Sequence, residues 1–121
     1  MFETIYSVHK NKIRLQIPEF RKYLEGPDVD IDDAIEYIKK TNYDILKKYP
    51  SLIVIVSVND VCLEDIQYIW AITKLILSLQ KLFKNQTESI HITNSSPIFK
   101  IVFESVKPVI DNDILRKIKI E

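Results

Sequence analysis

Three closely spaced aspartates are the residues of this sequence whose type and spacing first suggest chemistry. Asp28, Asp30 and Asp32 have the first three spacings of a calcium-binding EF-hand loop. That loop also needs glycine at its sixth position and glutamate at its twelfth, where this chain has Asp33 and Lys39. We therefore interpret the aspartates as capping residues at the positive end of a helix dipole.

His9, His91 and Cys62 are the other groups that could bind a metal or catalyse a reaction. Nothing in their spacing brings them together, and a metal site needs three or four convergent ligands. We interpret Cys62 as a small hydrophobic side chain. The single glycine, Gly26, excludes glycine-rich phosphate loops, dinucleotide fingerprints and nucleophile elbows. Neither a metal site, a cofactor nor a catalytic residue is expected.

Length, composition and charge favour a small globular binding domain. The 121 residues and 46% hydrophobic content suit one domain, 1–121, with a genuine core. Lys plus Arg and Asp plus Glu number 17 each, so no net field attracts nucleic acid or an anionic membrane. A lone cysteine suits a reducing compartment, and no secretory signal or membrane span is apparent. We expect a cytoplasmic protein with at most peripheral membrane contact.

The first half of the chain predicts a hairpin followed by an amphipathic helix. Apolar residues alternate over 2–8 and 13–17, and the intervening 9–12 can turn because Asn11 tolerates positive φ. Residues 20–26 predict a connection or a short helical turn. A helix with Asp30 as N-cap then runs to about residue 48.

The second half predicts three further strands separated by two long apolar helices. The β-branched run over 52–58 is typical of a central strand covered on both faces. The helix over about 66–84 has only a narrow polar stripe. Its apolar surface is therefore larger than one face of a sheet can bury. Next come a strand at Ile90 and Ile92, a helix over 98–106, a short helical turn and a strand over 117–120. The helix over 98–106 has Ser96 as its N-cap and is broken at Pro108.

The element order is therefore β-β-α-β-α-β-α-β. Strands that alternate with helices imply right-handed crossovers. The sequence predicts an α/β fold with a single mixed, largely parallel sheet.

Three segments carry a resemblance to a known family: the strand LIVIVSVNDV before a long apolar helix, the strand and loop IHITNSSP, and the segment IFKIVFESVKPVIDNDILRKIKI. Together they make residues 42–121 similar to the lipid-binding lobe of the CRAL-TRIO family, which includes phosphatidylinositol-transfer, retinaldehyde-binding and tocopherol-binding proteins. In that family the last segment is a mobile helix over a hydrophobic cavity. The resemblance implies a non-enzymatic module that binds a hydrophobic ligand or phospholipid under helix 98–106.

The resemblance also implies particular binding residues. The gate-like helix and the cavity wall would use Ile98, Phe99, Val102, Phe103, Val106, Trp70 and Leu77. Contacts to lipid phosphate or to an acidic partner would use Lys107, Arg116 and Lys117.

An interaction module is the alternative that the sequence leaves open. The loop over 94–97 has one residue more than the family pattern, so a shallow groove could replace a closed cavity. The same apolar surface would then dock a protein partner or a second copy of the chain. The topology is also similar to STAS domains, although VNDVCLED lacks the Ser and Gly of their phosphorylated motif.

Overall fold

Six α-helices and five strands are present in the computed structural model, which describes residues 2–121. Two 3₁₀ helices, Leu63–Tyr68 and Lys107–Val109, precede and follow the longer helices of the second half. The helices and strands are α1 (Phe2–Ile5), β1 (Tyr6–His9), β2 (Lys12–Gln16), α2 (Ile17–Glu25), α3 (Ile31–Leu46), β3 (Leu52–Ser57), α4 (Ile69–Phe83), β4 (Thr87–Thr93), α5 (Pro97–Val106), α6 (Asn112–Leu115) and β5 (Ile118–Ile120).

The strands form one sheet in the order β1-β2-β3-β4-β5. The pair β1–β2 is antiparallel and the other three pairs are parallel, so the predicted mixed, largely parallel α/β fold is confirmed. Each parallel connection moves the chain one strand further in the same direction. Right-handed crossovers of this kind collect the helices on one face of the sheet.

The prediction that β3 is covered on both faces is wrong. Leu52, Val54 and Val56 face the helical layer, whereas Ile53 and Ile55 alternate to the other face and belong to neither core cluster. The cross-strand neighbours of Ile55 are Arg14 on β2 and His91 on β4. The run of β-branched residues hides this asymmetry because both faces of the strand are apolar.

Two separate hydrophobic cores lie between the sheet and the helices. The larger joins α1–α4 to the first three strands, around Ile13 and Leu52, which are the most deeply buried large side chains. The smaller joins β3, β4 and α5 through Val58, Val61, Ile92 and Phe99. Neither cluster includes Val54 or Ile76. The two cores therefore do not merge above the middle of β3.

Several local predictions need correction. The alternating stretch over 2–8 is helical up to Ile5, and β1 begins only at Tyr6. The hairpin turns with positive φ at Lys10, 57°, rather than at Asn11, whose side-chain amide instead donates to the Ser51 carbonyl. Residues 17–25 form a nine-residue helix, which is longer than the connection or short helical turn predicted over 20–26. Pro18 can occupy its first turn because no N–H is required there.

Both predicted N-caps of the longer helices are confirmed. The Asp30 carboxylate accepts a hydrogen bond from the Asp33 N–H at 3.1 Å, and the Ser96 hydroxyl accepts one from the Phe99 N–H at 3.3 Å. Pro97 occupies the first turn of α5, and the α-helix ends at Val106, before Pro108. These short-range signals fix the ends of α3 and α5.

Candidate functional site

An apolar cavity of about 270 Å³ lies between the sheet and the helical layer. Its floor includes Val54 and Val56 of β3 and Ile90 and Ile92 of β4. Helices α4 and α5 form much of its wall, and β5 contributes Ile118. The cavity occupies the space where the two hydrophobic cores fail to meet.

The short side chains of the floor help to explain why this space stays open. Val54 extends only one carbon beyond Cβ, and its neighbours across the sheet are Ile13, which belongs to the larger core, and Ile90, which packs with the smaller one. From the helical layer, Ile76 also lines the cavity without joining either core. Well-packed interiors contain few voids of this size, so the cavity is a specific feature of the fold.

Helix α5 covers the cavity with four of its five predicted binding residues. The lining includes Phe99, Val102, Phe103 and Val106, and the rings of the two phenylalanines lie 5.8 Å apart. Ile98 does not line the cavity and is 39% exposed. The structure thus brings most of the predicted gate-like helix to one cavity, and its role in binding stays a prediction.

The two predicted wall residues on α4 point away from the cavity. Trp70 is 56% exposed and Leu77 is 49% exposed, and neither belongs to the lining. Residues seven apart share one side of a helix, and here that side faces outward. The inward side of α4 carries Ile69, Ile72, Leu75, Ile76 and Leu79.

The three predicted phosphate-contacting residues each have a partner within the chain. Lys107 pairs with Glu104 at 3.7 Å, and Arg116 pairs with Asp113 at 3.0 Å. The Lys117 ammonium donates to the Lys84 carbonyl at 2.8 Å. The first two are exposed pairs of neighbouring turns, which hold a side chain only weakly. A contact to phosphate by these residues stays a prediction.

A buried polar pair in the cavity lining escaped the sequence analysis. The Tyr6 hydroxyl donates a hydrogen bond to Asn42 Oδ1 at 2.5 Å, and both residues line the cavity. Burial raises the pKa of Tyr6 well above its ordinary value, so the phenol keeps its proton. Asn42 follows Ile38 and precedes Ile45 at helical spacing on the buried side of α3. The sequence signal that could have revealed this pair is the position of Asn42, a polar residue within the apolar stripe of α3.

A second polar pair ties α2 to the segment before α4. The Arg21 guanidinium binds the Asp65 carboxylate through two hydrogen bonds, Nε–Oδ1 at 2.7 Å and Nη2–Oδ2 at 3.1 Å. Asp65 also accepts the Cys62 N–H at 2.9 Å. Although partial burial opposes its charged form, the hydrogen bonds and charge of Asp65 keep the pKa of Arg21 above its ordinary value. This pair is a fixed polar element of the lining.

Gln80 is the third polar contributor to the lining and holds the segment that follows α5. Its side-chain amide donates to the Val109 carbonyl at 2.8 Å and accepts the Asp111 N–H at 3.0 Å. Both ends of one amide are therefore bound to the chain between α5 and α6. This contact fixes the C-terminal end of the cavity cover to α4.

A Ser–His–Glu arrangement lies on the opposite face of the sheet. Ser89 Oγ is 3.1 Å from His91 Nε2, and His91 Nδ1 is 3.0 Å from Glu121 Oε1. This is the order of nucleophile, base and orienting carboxylate in acyl-transfer enzymes. Those enzymes also need donors aimed at a developing oxyanion beside a bound substrate, and none of the three residues lines the cavity. We therefore assign this arrangement a structural role only, in which His91 holds Glu121 against the sheet.

The remaining candidate ligands do not form a metal site in the described chain. His9 lies at the exposed end of β1, and Cys62 lies beyond the end of β3. Within residues 2–121 no three His, Cys, Asp or Glu side chains are placed to hold a metal ion.

Fold and site together define a class: an α/β domain whose helices, on one face of a mostly parallel sheet, form an apolar cavity under a cover helix. Comparison with family models identifies the family, since the CRAL/TRIO domain matches residues 30–121. The chain belongs to this family, whose domains are typically non-enzymatic modules that bind lipids and other hydrophobic molecules. No individual curated protein matches the chain. Every helix described in residues 2–121 falls short of the length and apolarity needed to cross a membrane.

Proposed function

We propose that this protein is a binding module that takes a hydrophobic small molecule, or one hydrocarbon chain of a lipid, into the cavity beneath α5. The observation that carries the proposal is the cavity of about 270 Å³ with a lining that is almost entirely aliphatic and aromatic. Small-molecule sites usually measure about 300–1,000 Å³. The volume therefore favours a single chain or a compact ring system over a complete phospholipid.

Removal of apolar ligand surface from water supplies the binding energy. At about 25 cal/mol per Å², burial of roughly 250 Å² of ligand surface contributes about 6 kcal/mol before the entropic cost of association. Affinities in the micromolar range need about 8 kcal/mol net, so apolar burial of this area alone gives weaker binding. The module is proposed to act by binding alone, in the cytoplasm, with no catalytic step.

Helix α5 is the element proposed to move when a ligand enters. It supplies Phe99, Val102, Phe103 and Val106 to the cavity and packs against α4, the neighbouring 3₁₀ segments and, through Phe99, the smaller core above β3 and β4. At its N-terminal end Asn94 has a positive φ of 62°, and at its C-terminal end Pro108 breaks the helix. The backbone irregularities at Asn94 and Pro108 are the proposed hinges of the helix, and the Gln80 contacts hold the chain beyond Pro108 in place.

Native mass spectrometry tests the proposal. After gentle purification the protein is expected to carry a hydrophobic adduct, or to acquire one from liposomes, and the adduct should be identified after solvent extraction. A clean apo mass before and after incubation with liposomes contradicts the proposal. Ile55→Phe, on the opposite sheet face, is the matched variant that should retain the adduct.

A second candidate function is docking to a partner protein or to a second copy, as the outer apolar residues suggest. The side of α4 that points away from the cavity and the segment before it expose Leu63, Ile66, Trp70 and Leu77, and the outer side of α5 exposes Ile98 and Ile101. Exposed apolar groups that collect on adjoining elements are typical of interaction surfaces. Sedimentation of the wild type and Trp70→Glu tests this candidate. Concentration-dependent association abolished by the substitution supports docking, and a monomer at all concentrations counts against a homodimer.

A further inference from the structure

We infer that Asn42, held in place by Tyr6, is a hydrogen-bonding position inside the cavity, and that it selects a neutral hydrophobic ligand with a carbonyl oxygen. This inference rests on the proposed function and adds to it the chemical class of the ligand. Nothing about the size or apolarity of the cavity requires such a position.

The first step of the argument is the bonding of the Asn42 amide. Its Oδ1 accepts the Tyr6 hydroxyl proton, so both the donor of Tyr6 and one acceptor site of Asn42 are in use. The amide also carries two N–H donors on Nδ2. No hydrogen bond from Nδ2 to any acceptor is present in residues 2–121, although Asn42 is only 4% exposed and Tyr6 only 5%.

The second step is where the free donors face. Within residues 2–121 no side-chain polar atom is both completely enclosed and without a partner. The Asn42 amide nitrogen must therefore adjoin open space, and Asn42 lines the cavity. An amide group that is bonded on its oxygen side and open on its nitrogen side presents a fixed donor to a ligand.

The third step is the kind of acceptor that suits this donor. A carboxylate would enter an apolar space where the only cation of the described lining, Arg21, is already bound by Asp65. An unpaired charge there is strongly unfavourable. An ester, ketone or aldehyde oxygen accepts the N–H without bringing a charge. A pure hydrocarbon leaves the donor unpaired, which costs affinity.

Competition between two matched probes tests the inference. Benzophenone and diphenylmethane differ only in a carbonyl in place of a methylene group, and each would displace a neutral fluorescent dye, N-phenyl-1-naphthylamine. Loss of one buried hydrogen bond corresponds to about a tenfold change in affinity. Asn42→Leu is expected to weaken benzophenone about tenfold and to leave diphenylmethane within about twofold of wild type.

Two further variants serve as comparisons. Tyr6→Phe keeps the amide but removes the bond that holds it, so a smaller loss specific to benzophenone, about threefold, is expected. Thr87→Val changes another buried polar lining residue, whose hydroxyl is already bound to the Phe83 carbonyl at 2.8 Å. This control should leave the ratio of the two affinities unchanged.

The outcomes separate the inference from the proposed function. If diphenylmethane binds but Asn42→Leu changes both probes equally, or neither, the carbonyl position is overturned while the cavity function stands. If neither probe nor the dye binds wild type, both fail. Should Asn42→Leu not fold, the infrared carbonyl band of benzophenone bound to wild type decides. A shift to lower frequency than in hexane supports the hydrogen bond, and an unshifted band refutes it.

Discussion

Filling the cavity at its floor is expected to stabilise the empty protein and to abolish ligand binding. Val54 lies at the centre of β3, lines the cavity and packs into neither core. Val54→Phe directs a larger side chain into the space that a ligand would occupy. Phenylalanine is also well suited to a strand, so the backbone should tolerate the change.

The expected gain follows from the volume that is filled. Replacing the isopropyl group with a benzyl group adds roughly 50 Å³, and void volume costs about 24 cal/mol per Å³. The cavity, about 270 Å³, has room for this addition. The free energy of unfolding should therefore rise by about 1 kcal/mol, which corresponds to about 3–6 °C in Tm for a chain of this size.

Urea denaturation and dye binding measure the two effects on the same samples. Val54→Phe should raise the denaturation midpoint and weaken binding of N-phenyl-1-naphthylamine at least tenfold. Ile55→Phe is the matched control, since its side chain alternates to the opposite face of β3. That control should leave dye binding unchanged.

The sign of the stability change decides whether the reasoning holds. In a core without a cavity, the same substitution overpacks and costs about 1–3 kcal/mol. A lower denaturation midpoint for Val54→Phe would therefore refute the cavity as described. Stabilisation with unchanged dye binding would instead place the ligand elsewhere.

Three further experiments test the polar contacts. Asp65→Asn should lower the free energy of unfolding by about 2 kcal/mol in urea titrations, because it weakens a largely buried, doubly hydrogen-bonded ion pair. The control Asp113→Asn changes an exposed ion pair and should lower the free energy of unfolding by less than about 0.5 kcal/mol. Equal losses for the two variants would contradict this ranking. Gln80→Met should speed amide hydrogen exchange in the segment that connects α5 and α6, because both contacts of the Gln80 amide are lost, and exchange in β3 should be unchanged. Faster exchange throughout the protein would instead indicate global destabilisation. Cys62 should react with a disulfide reagent more slowly than free cysteine at mildly alkaline pH, since its hydrogen bond to Glu64 raises the pKa of the thiol. Glu64→Gln should increase the reaction rate towards that of free cysteine. A wild-type Cys62 that reacts as fast as free cysteine would contradict the raised pKa.

The topology was predictable because local signals punctuate the chain. Asp30 and Ser96 cap helices, Pro97 and Pro108 bound α5, and the β-branched run of β3 has no polar interruption. Each signal acts over a few residues, so it survives without knowledge of the tertiary structure. The alternation of strands and helices then implies a largely parallel sheet with right-handed crossovers.

The orientation of α4 and the shape of the site depend on tertiary contacts that no local pattern contains. Apolar residues cover nearly the whole circumference of α4, so periodicity cannot distinguish Ile76, which lines the cavity, from Leu77, which is exposed. Likewise β3 looks the same on both faces, and only the one-sided helical layer separates Val54 from Ile55. On α5 the division between lining and exposed residues agrees better with the prediction, because its polar residues mark the outer side.

The most direct test of the central claim, that the space above β3 and β4 receives a hydrophobic ligand, is a methyl NMR titration with diphenylmethane. Methyl signals of Val54, Val56 and Ile90 should shift, because these residues line the cavity. Those of Ile53 and Ile55, on the opposite face, should stay in place. Shifts confined to the exposed Ile98 and Ile101, or no shifts at a saturating probe concentration, would contradict the account.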